Sequence, residues 1–334
     1  MGDGQGAVRP KLGPNDGTID RALARGLVPR REFGAHKWGV GGLIVVAGAP
    51  GFAGAAILSA LAAGRTGAGI VNVALPRSLA ATVVIAVPEA ATLPLSDGEP
   101  RRSVEAIEAK LEKSAAMVIG PGLSEDEAAA DLLSAIFGLE ASRSSIGFGF
   151  DSSSLAPGDG GFLGRSGKPV VLDADALNWL ANQPDWPSLL PPGRAVLTPH
   201  VGELSRLLDR PVAELIADPV QTVREAARAW GQTVVFKYGY TAVSDGERTL
   251  VAEDAPPSLA TAGSGDVLAG AIGAFLAQGL APMDAAALAV YVGLGAARRL
   301  EERFGTLGLV AGDLPEAMAE ELAALERERA EEAS

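Results

Sequence analysis

An alternation constrains this chain more than any other feature of its sequence. Short β-branched runs (Leu43-Ile-Val-Val-Ala47, Ile70-Val-Asn-Val-Ala74, Ala116-Met-Val-Ile119, Pro169-Val-Val-Leu172, Ala195-Val-Leu197 and Thr233-Val-Val-Phe236) are separated by longer Ala- and Leu-rich stretches. Strands spaced by helical segments predict a mostly parallel sheet buried between two helical layers, an α/β fold. Residues 241–243 and 248–252 flank Asp245-Gly246, a hairpin signal that predicts an antiparallel pair at one sheet edge. Residues 267–280 and 285–300 read as two long helices of low polarity.

Residues 39–64 carry no charge and are long enough to span a bilayer. Gly48, Pro50, Gly51 and Gly54 divide them into a strand-like half, 43–47, and a helix-like half, 55–63, as in a buried β–turn–α unit. Neither a membrane span nor the apolar core of a signal peptide is therefore expected. With 48% hydrophobic residues among 334, a substantial core is available. Residues 1–34 read as an extension outside that core, with a short helix at 19–27. Residues 142–167, rich in Ser and Gly, read as an irregular surface insertion. Residues 316–334, where seven Glu stand against two Arg, read as a solvated acidic terminal helix.

There are 28 Lys+Arg against 41 Asp+Glu, a net charge of −13, which offers no footprint for nucleic acid or an anionic membrane. An anionic ligand would have to be held by local backbone geometry. The absence of cysteine excludes a disulfide framework, a thiolate nucleophile and Cys-ligated metal sites, and suits a cytoplasmic protein. His36 and His200 are the only imidazoles, too few for a His-rich metal centre.

The segment Ala260-Thr-Ala-Gly-Ser-Gly-Asp-Val-Leu-Ala-Gly270 leads into an apolar helix. Small residues before a helix start aim unpaired N–H groups and the positive dipole end at one spot, so Gly263, Ser264 and Gly265 form a candidate anion hole. Asp266 is either a base that takes a proton from an attacking hydroxyl or a helix cap. Leu197-Thr-Pro-His-Val-Gly-Glu203 follows a strand, where Thr198, His200 and Glu203 would face a ligand crevice, although a lone His is often structural. Asp173, Asp175 and Asn178 gather oxygens suited to Mg²⁺ or to ordering a substrate hydroxyl, with Asp175 equally readable as an N-cap. Gly120-Pro-Gly122 reads as a close-approach turn. Lys237 and Thr241 could reach a nucleotide phosphate, or Lys237 could simply sit exposed on an edge strand.

These segments, in order with Ala35-His-Lys37, Gly48-Ala-Pro-Gly-Phe-Ala-Gly-Ala-Ala56, Gly67-Ala-Gly69, Ala277-Gln-Gly-Leu280 and Gly308-Leu-Val-Ala-Gly-Asp-Leu314, resemble the NAD(P)H-hydrate dehydratase branch of the ribokinase-like superfamily. The resemblance implies a three-layer α/β/α sandwich with a mostly parallel sheet, a dehydratase domain at 35–315, and repair of hydrated NADH or NADPH at the expense of ADP or ATP with Mg²⁺. It implies Asp266 as the catalytic base, and Ala55, Gly122, His200 and Asp266 against the hydrated dinucleotide. Lys237, Tyr238, Gly239, Tyr240, Thr241 and Gly265 would hold the donor, and Asp173, Asp175, Asn178 and Glu203 would order Mg²⁺ or substrate. Small-molecule substrates and a homo-oligomer are expected; many family members carry an N-terminal epimerase domain, for which 34 residues are too few. The chain departs from the family pattern at Trp38 and Pro256, at Ala262 where a glycine is usual, and at Lys237-Tyr-Gly-Tyr where Lys-Gly is usual. The competing readings are a kinase of a hydroxymethyl pyrimidine or thiazole, and a degenerate nucleotide-binding module.

Overall fold

The structure, a computed structural model, describes residues 12–139, 161–252 and 255–332. Its strands are β1 (Gly17–Thr18), β2 (Gly42–Val46), β3 (Ile70–Pro76), β4 (Ala91–Leu95), β5 (Ala116–Ile119), β6 (Val170–Leu172), β7 (Ala195–Leu197), β8 (Thr233–Tyr238), β9 (Tyr240–Ser244) and β10 (Thr249–Ala252). They form one sheet in the order β1-β10-β9-β8-β7-β6-β5-β2-β3-β4. Neighbours pair in parallel except around β9, which is antiparallel to both β8 and β10. The expected hairpin is present, but β1 pairs outside it in parallel with β10 and takes the edge.

The helices are α1 (Arg21–Leu27), α2 (Lys37–Val40), α3 (Ala53–Arg65), α4 (Ala80–Ala86), α5 (Pro100–Leu111), α6 (Glu127–Phe137), α7 (Gly161–Ser166), α8 (Asp175–Ala181), α9 (Val201–Leu208), α10 (Val212–Leu215), α11 (Pro219–Trp230), α12 (Ser264–Ala277), α13 (Pro282–Phe304) and α14 (Leu314–Glu332). Strand alternation sorts the core into two layers. Leu43 and Val45 of β2 pack with α1, α3, α4, α12, α13 and α14, while Ile44 and Val46 pack with α5 to α11. This is the expected three-layer sandwich. The uncharged 39–64 run divides into β2 and α3 as predicted, and among the described residues no helix is long and apolar enough to cross a membrane.

Both chain-end expectations need correction. Residues 17–28 join the core, since β1 extends the sheet and Ile19, Ala24 and Val28 are buried, while residues 12–15 and 30–34 are exposed. The acidic terminal helix is solvated on one side only, because α14 buries Leu314, Ala317, Met318 and Leu325. Glu321 is buried with them, held by Arg21 and Arg299 at 2.8 Å each. Arg21 also binds Glu328 and the Tyr291 hydroxyl, clasping α1 to α14 and α13. Of the proposed surface insertion, residues 142–160 lie outside the described residues, and 161–166 form α7 with Phe162 and Leu163 buried rather than an irregular surface loop.

Candidate active site

The strand order turns back between β2 and β5. β3 and β4 follow on one side of β2, and β5 to β8 follow on the other. In open α/β sheets ligands bind beyond the strand C-termini at such a reversal. Here the loops after β2 and β5 are joined by the Gly48 amide, which donates to Pro121 O at 2.9 Å. Gly120, at φ 129°, lies so close to the loop after β6 that a Cβ would stand 1.8 Å from the Asp173 carbonyl oxygen, so only glycine fits. Gly122 approaches Ala55 closely enough that a Cβ on it would fall 2.7 Å from the Ala55 methyl. Ala55 and Gly122, both expected against the substrate, therefore share one wall.

Helix α12 starts against α3, where a Cβ on Gly263 would fall 2.5 Å from the Leu58 side chain. Its N-cap is Gly263, in the left-handed region at φ 93°, with no side-chain cap, so Asp266 stands in the first turn and does not cap the helix. Of the expected anion-hole groups, the Ser264 amide turns back to Thr261 O at 3.4 Å and its hydroxyl donates to Leu259 O at 2.9 Å. The first-turn amides of Gly265 and Asp266 are left to face a ligand. Burial, reinforced by the negative charge of Asp173, pushes the Asp266 carboxyl up to about 7 against the pull of Lys237. A carboxylate with that affinity is matched to proton abstraction near neutral pH. The Ser59 hydroxyl donates to the Asp266 carbonyl oxygen at 3.0 Å and fixes this turn against α3.

Beside it lies a charged cluster. Asp173 is only 2% exposed and its Oδ1 accepts from the Thr198 hydroxyl at 2.6 Å and from Lys237 Nζ at 3.1 Å. A Cβ on Gly265 would be 3.4 Å from Lys237 Nζ and 3.7 Å from Asp173 Oδ2, so the ammonium sits at the helix start. Lys237 is thus a paired cation aimed at the anion hole, not an exposed edge residue. His200 N-caps α9: its Nδ1 accepts from the Gly202 amide at 2.9 Å, while its own amide donates to Glu203 Oε2 at 2.8 Å. The remaining ring proton then sits on Nε2, 3.4 Å from Glu203 Oε1. Burial holds the His200 imidazole below its ordinary value, helped by Lys237, so the ring is neutral at pH 7. Burial likewise pushes Glu203 up to about 7.

Two further candidates are placed differently. Asp175 is not the N-cap of α8, which is Ala174 at φ 50°. Its Oδ2 instead accepts from the Ser124 amide at 2.8 Å, and burial raises its carboxyl, aided by Glu125 and Asp173. It braces the loop after β5. The Asn178 side chain donates to Glu125 at 3.2 Å and accepts from Arg206 at 2.8 Å, so its amide is occupied in a polar bridge to those two residues. Among the described residues no three His, Asp or Glu side chains form a metal cage. Asp173 and Glu203 fit a cation only as partners of ligand phosphates, the usual manner for Mg²⁺.

Lys237, Tyr238, Gly239, Tyr240, Thr241 and Gly265 all line one cavity of about 420 Å³. Gly239 forms the turn between the paired Tyr238 and Tyr240 and has φ 57°, so the displaced glycine of the donor loop is used where the turn needs it. The sequence reading missed the opposite wall, where Gly293 and Leu294 of α13 and Leu314 and Met318 of α14 close the cavity. Only Gly293 inside a long helix hints at it. Pro256 lies on the same wall, giving apolar surface where the family pattern has an asparagine. Ala262 is not among the described non-glycine residues with positive φ, so the methyl there is unstrained.

A mostly parallel sheet, a helix start fitted to an anion, a half-buried carboxylate in its first turn and an adjoining apolar cleft together make up the site of this ribokinase-like fold. The family model described as NAD(P)H-hydrate dehydratase matches residues 43–156 and 145–320, and the chain belongs to that family. The bifunctional NAD(P)H-hydrate repair enzyme Nnr of Salinibacter ruber is 36% identical over 308 residues, 89% of this chain and 51% of that protein. The ADP-dependent (S)-NAD(P)H-hydrate dehydratase of Neisseria meningitidis serogroup B is 34% identical over 289 residues, covering 85% and 86%. The chain spans about half the length of the bifunctional relatives it matches. The ADP/ATP-dependent NAD(P)H-hydrate dehydratase of Bacillus subtilis, co-crystallised with ATP/Mg²⁺, superposes with a TM-score of 0.74 at 25% identity, covering 94% of this chain and all of that one. A hydroxyethylthiazole kinase from Pyrococcus horikoshii shares the fold at 17% identity, with a TM-score of 0.54 over 90% of this chain and 92% of that one.

Proposed function

We propose that this chain is an ADP- or ATP-dependent (S)-NAD(P)H-hydrate dehydratase, a hydro-lyase that returns hydrated NADH or NADPH to the reduced dinucleotide. The observation that carries the reading is Asp266, in the first turn of α12 beside the Lys237 cavity and tied by Ser59 to α3, the helix that carries Ala55. The donor lies in the apolar cavity with its terminal phosphate at the Gly265 and Asp266 amides and Lys237. The hydrated ring lies against Ala55 and Gly122, with His200 Nε2–H as a neutral donor at its rim.

In this geometry the ring hydroxyl faces both the base and the phosphate. Asp266 takes its proton as the oxygen bonds to the terminal phosphorus and the bond to the nucleotide's leaving oxygen breaks. The first-turn amides and Lys237 hold the charge that develops on the phosphoryl oxygens. The ring nitrogen lone pair then expels phosphate to give an iminium, and loss of a proton from the adjacent ring carbon restores the double bond of the reduced nicotinamide. Mg²⁺, carried on the donor phosphates near Asp173 and Glu203, would supply charge neutralisation. The protein acts on small molecules in the cytoplasm, as a homo-oligomer.

The test is to combine the protein with hydrated NADH or NADPH, Mg²⁺ and either ADP or ATP, and to follow the reduced-nicotinamide absorbance. Recovery coupled to phosphate release supports the reading. A stable phosphate ester of a hydroxymethyl heterocycle would instead favour the kinase, and nucleotide binding without turnover on any substrate would favour a degenerate module.

A further inference from the structure

The donor cavity and the Ala55–Gly122 wall lie over different parts of the sheet. The donor cavity lies over β8 and β9, on one flank of the sheet. A hydrated ring presented from the Ala55–Gly122 wall lies beyond β5 and β2, and on the side away from the donor cavity the sheet continues into β3 and β4, the direction open to the rest of the dinucleotide. That route is built. Phe52, 55% exposed, stands beside Gly122, and its amide bonds Ala49 O at 2.7 Å. Ala49, Pro50 and Leu123 then wall a cavity of about 140 Å³ that opens between the ends of β2 to β5.

Among the described residues, the lining of this cavity carries four carboxylates, Asp97, Glu99, Asp126 and Asp131, and neither lysine nor arginine. Asp126 caps α6 through the Ala129 amide, and Glu99 meets exposed Arg102 at 3.3 Å. Arg77 stands outside the lining, one residue beyond Pro76 at the rim. Where an enzyme reads the adenosine ribose, a carboxylate accepts from free hydroxyls, whereas a 2′-phosphate calls for a cation.

We propose that the adenosine half of the substrate occupies this acidic cavity and that the chain therefore favours NADH-hydrate over its 2′-phosphorylated counterpart. The proposal rests on the dehydratase reading above and adds to it which hydrate is preferred. Asp97, on an exposed loop, meets the ribose hydroxyls; the same loop repels a phosphate placed there.

The experiment compares kcat/KM for the two hydrates with one donor at low salt, beside dissociation constants for NADH and NADPH from fluorescence titration. The expected preference is about tenfold or more for the unphosphorylated form, a modest share of what like-charge contact can impose, and it shrinks as salt rises. Asp97→Lys combined with Glu99→Lys moves the ratio toward the phosphorylated form, and Asp97→Asn moves it the same way by less. Equal kcat/KM values, a preference unchanged by these variants, or a preference for the phosphorylated hydrate that Arg77→Ala removes would overturn it. Loss of turnover on both hydrates would instead count against the dehydratase reading, and the two dissociation constants would still decide whether this cavity selects.

Discussion

The two flanks of the site are built by opposite means. The donor flank is an apolar cleft with one cation, Lys237, already paired to Asp173 at 3.1 Å. The substrate flank is built from close backbone approaches at Gly120 and Gly122 and ends in carboxylates. On the proposed function, an acidic chain would bind two anionic ligands by meeting phosphate with backbone N–H groups and a single ammonium, with charge of the protein's own sign where hydroxyls are expected.

The sharpest way to break this picture is at the point where the flanks meet. Asp266→Asn should leave donor binding intact and lower kcat by about two to four orders of magnitude, the range for losing a general base; a rate near wild type would remove Asp266 from the mechanism. Next in size is Lys237→Met, which leaves Asp173 buried without its cation. It should cost about 3 kcal/mol of stability and weaken donor binding far more than hydrate binding, measurable by thermal unfolding and nucleotide titration. Equal losses for both ligands would erase the distinction between flanks.

Protonation gives a third handle. Burial raises both Asp266 and Glu203 to about 7, so the folded chain holds protons that the unfolded carboxylates release. Stability from these groups is present at low pH and is lost as pH rises through about 7, while kcat/KM falls as pH drops below about 7. The melting temperature of the nucleotide-free protein should thus decline between about pH 5 and pH 7 and level off above, and Asp266→Asn should lessen that decline. A smaller effect lies at His200. His200→Asn preserves an N-cap but removes the ring, and should raise the hydrate KM about tenfold with little change in kcat, as expected for one lost hydrogen bond. His200→Ala should add about 1 kcal/mol of destabilisation from the lost cap. The smallest effect belongs to the donor flank's most conspicuous departure: Ala262→Gly should change donor kcat/KM by less than about twofold, because no positive φ makes glycine necessary there.

Much of this architecture can be read directly from residue pattern. The buried parallel strands declare themselves because both of their faces are apolar, and β5 and β7 fall where Ala116-Met-Val-Ile119 and Ala195-Val-Leu197 predict them. The edges are harder: β4 contains Pro94, which demotes a strand signal, and β1 is two residues long. Asp266, Gly265, Lys237, Asp173, Thr198 and Glu203 were legible because each interrupts an apolar strand or helix with chemistry that demands explanation. The far wall of the donor cavity was not, since Leu294, Leu314 and Met318 look like ordinary core residues until the helices are seen to leave a gap between them. Asn178 shows the reverse failure, a well-placed oxygen whose hydrogen bonds go to Glu125 and Arg206.

That far wall also bears on synthesis. A ribosome delivers the anion-binding turn of α12 and the Lys237 loop before Leu314 and Met318 exist, so a nascent chain has its phosphate cradle without a closed adenine-sized cleft. Donor binding should therefore register the arrival of α14, whose docking is further secured by Arg21 from the opposite end of the described chain.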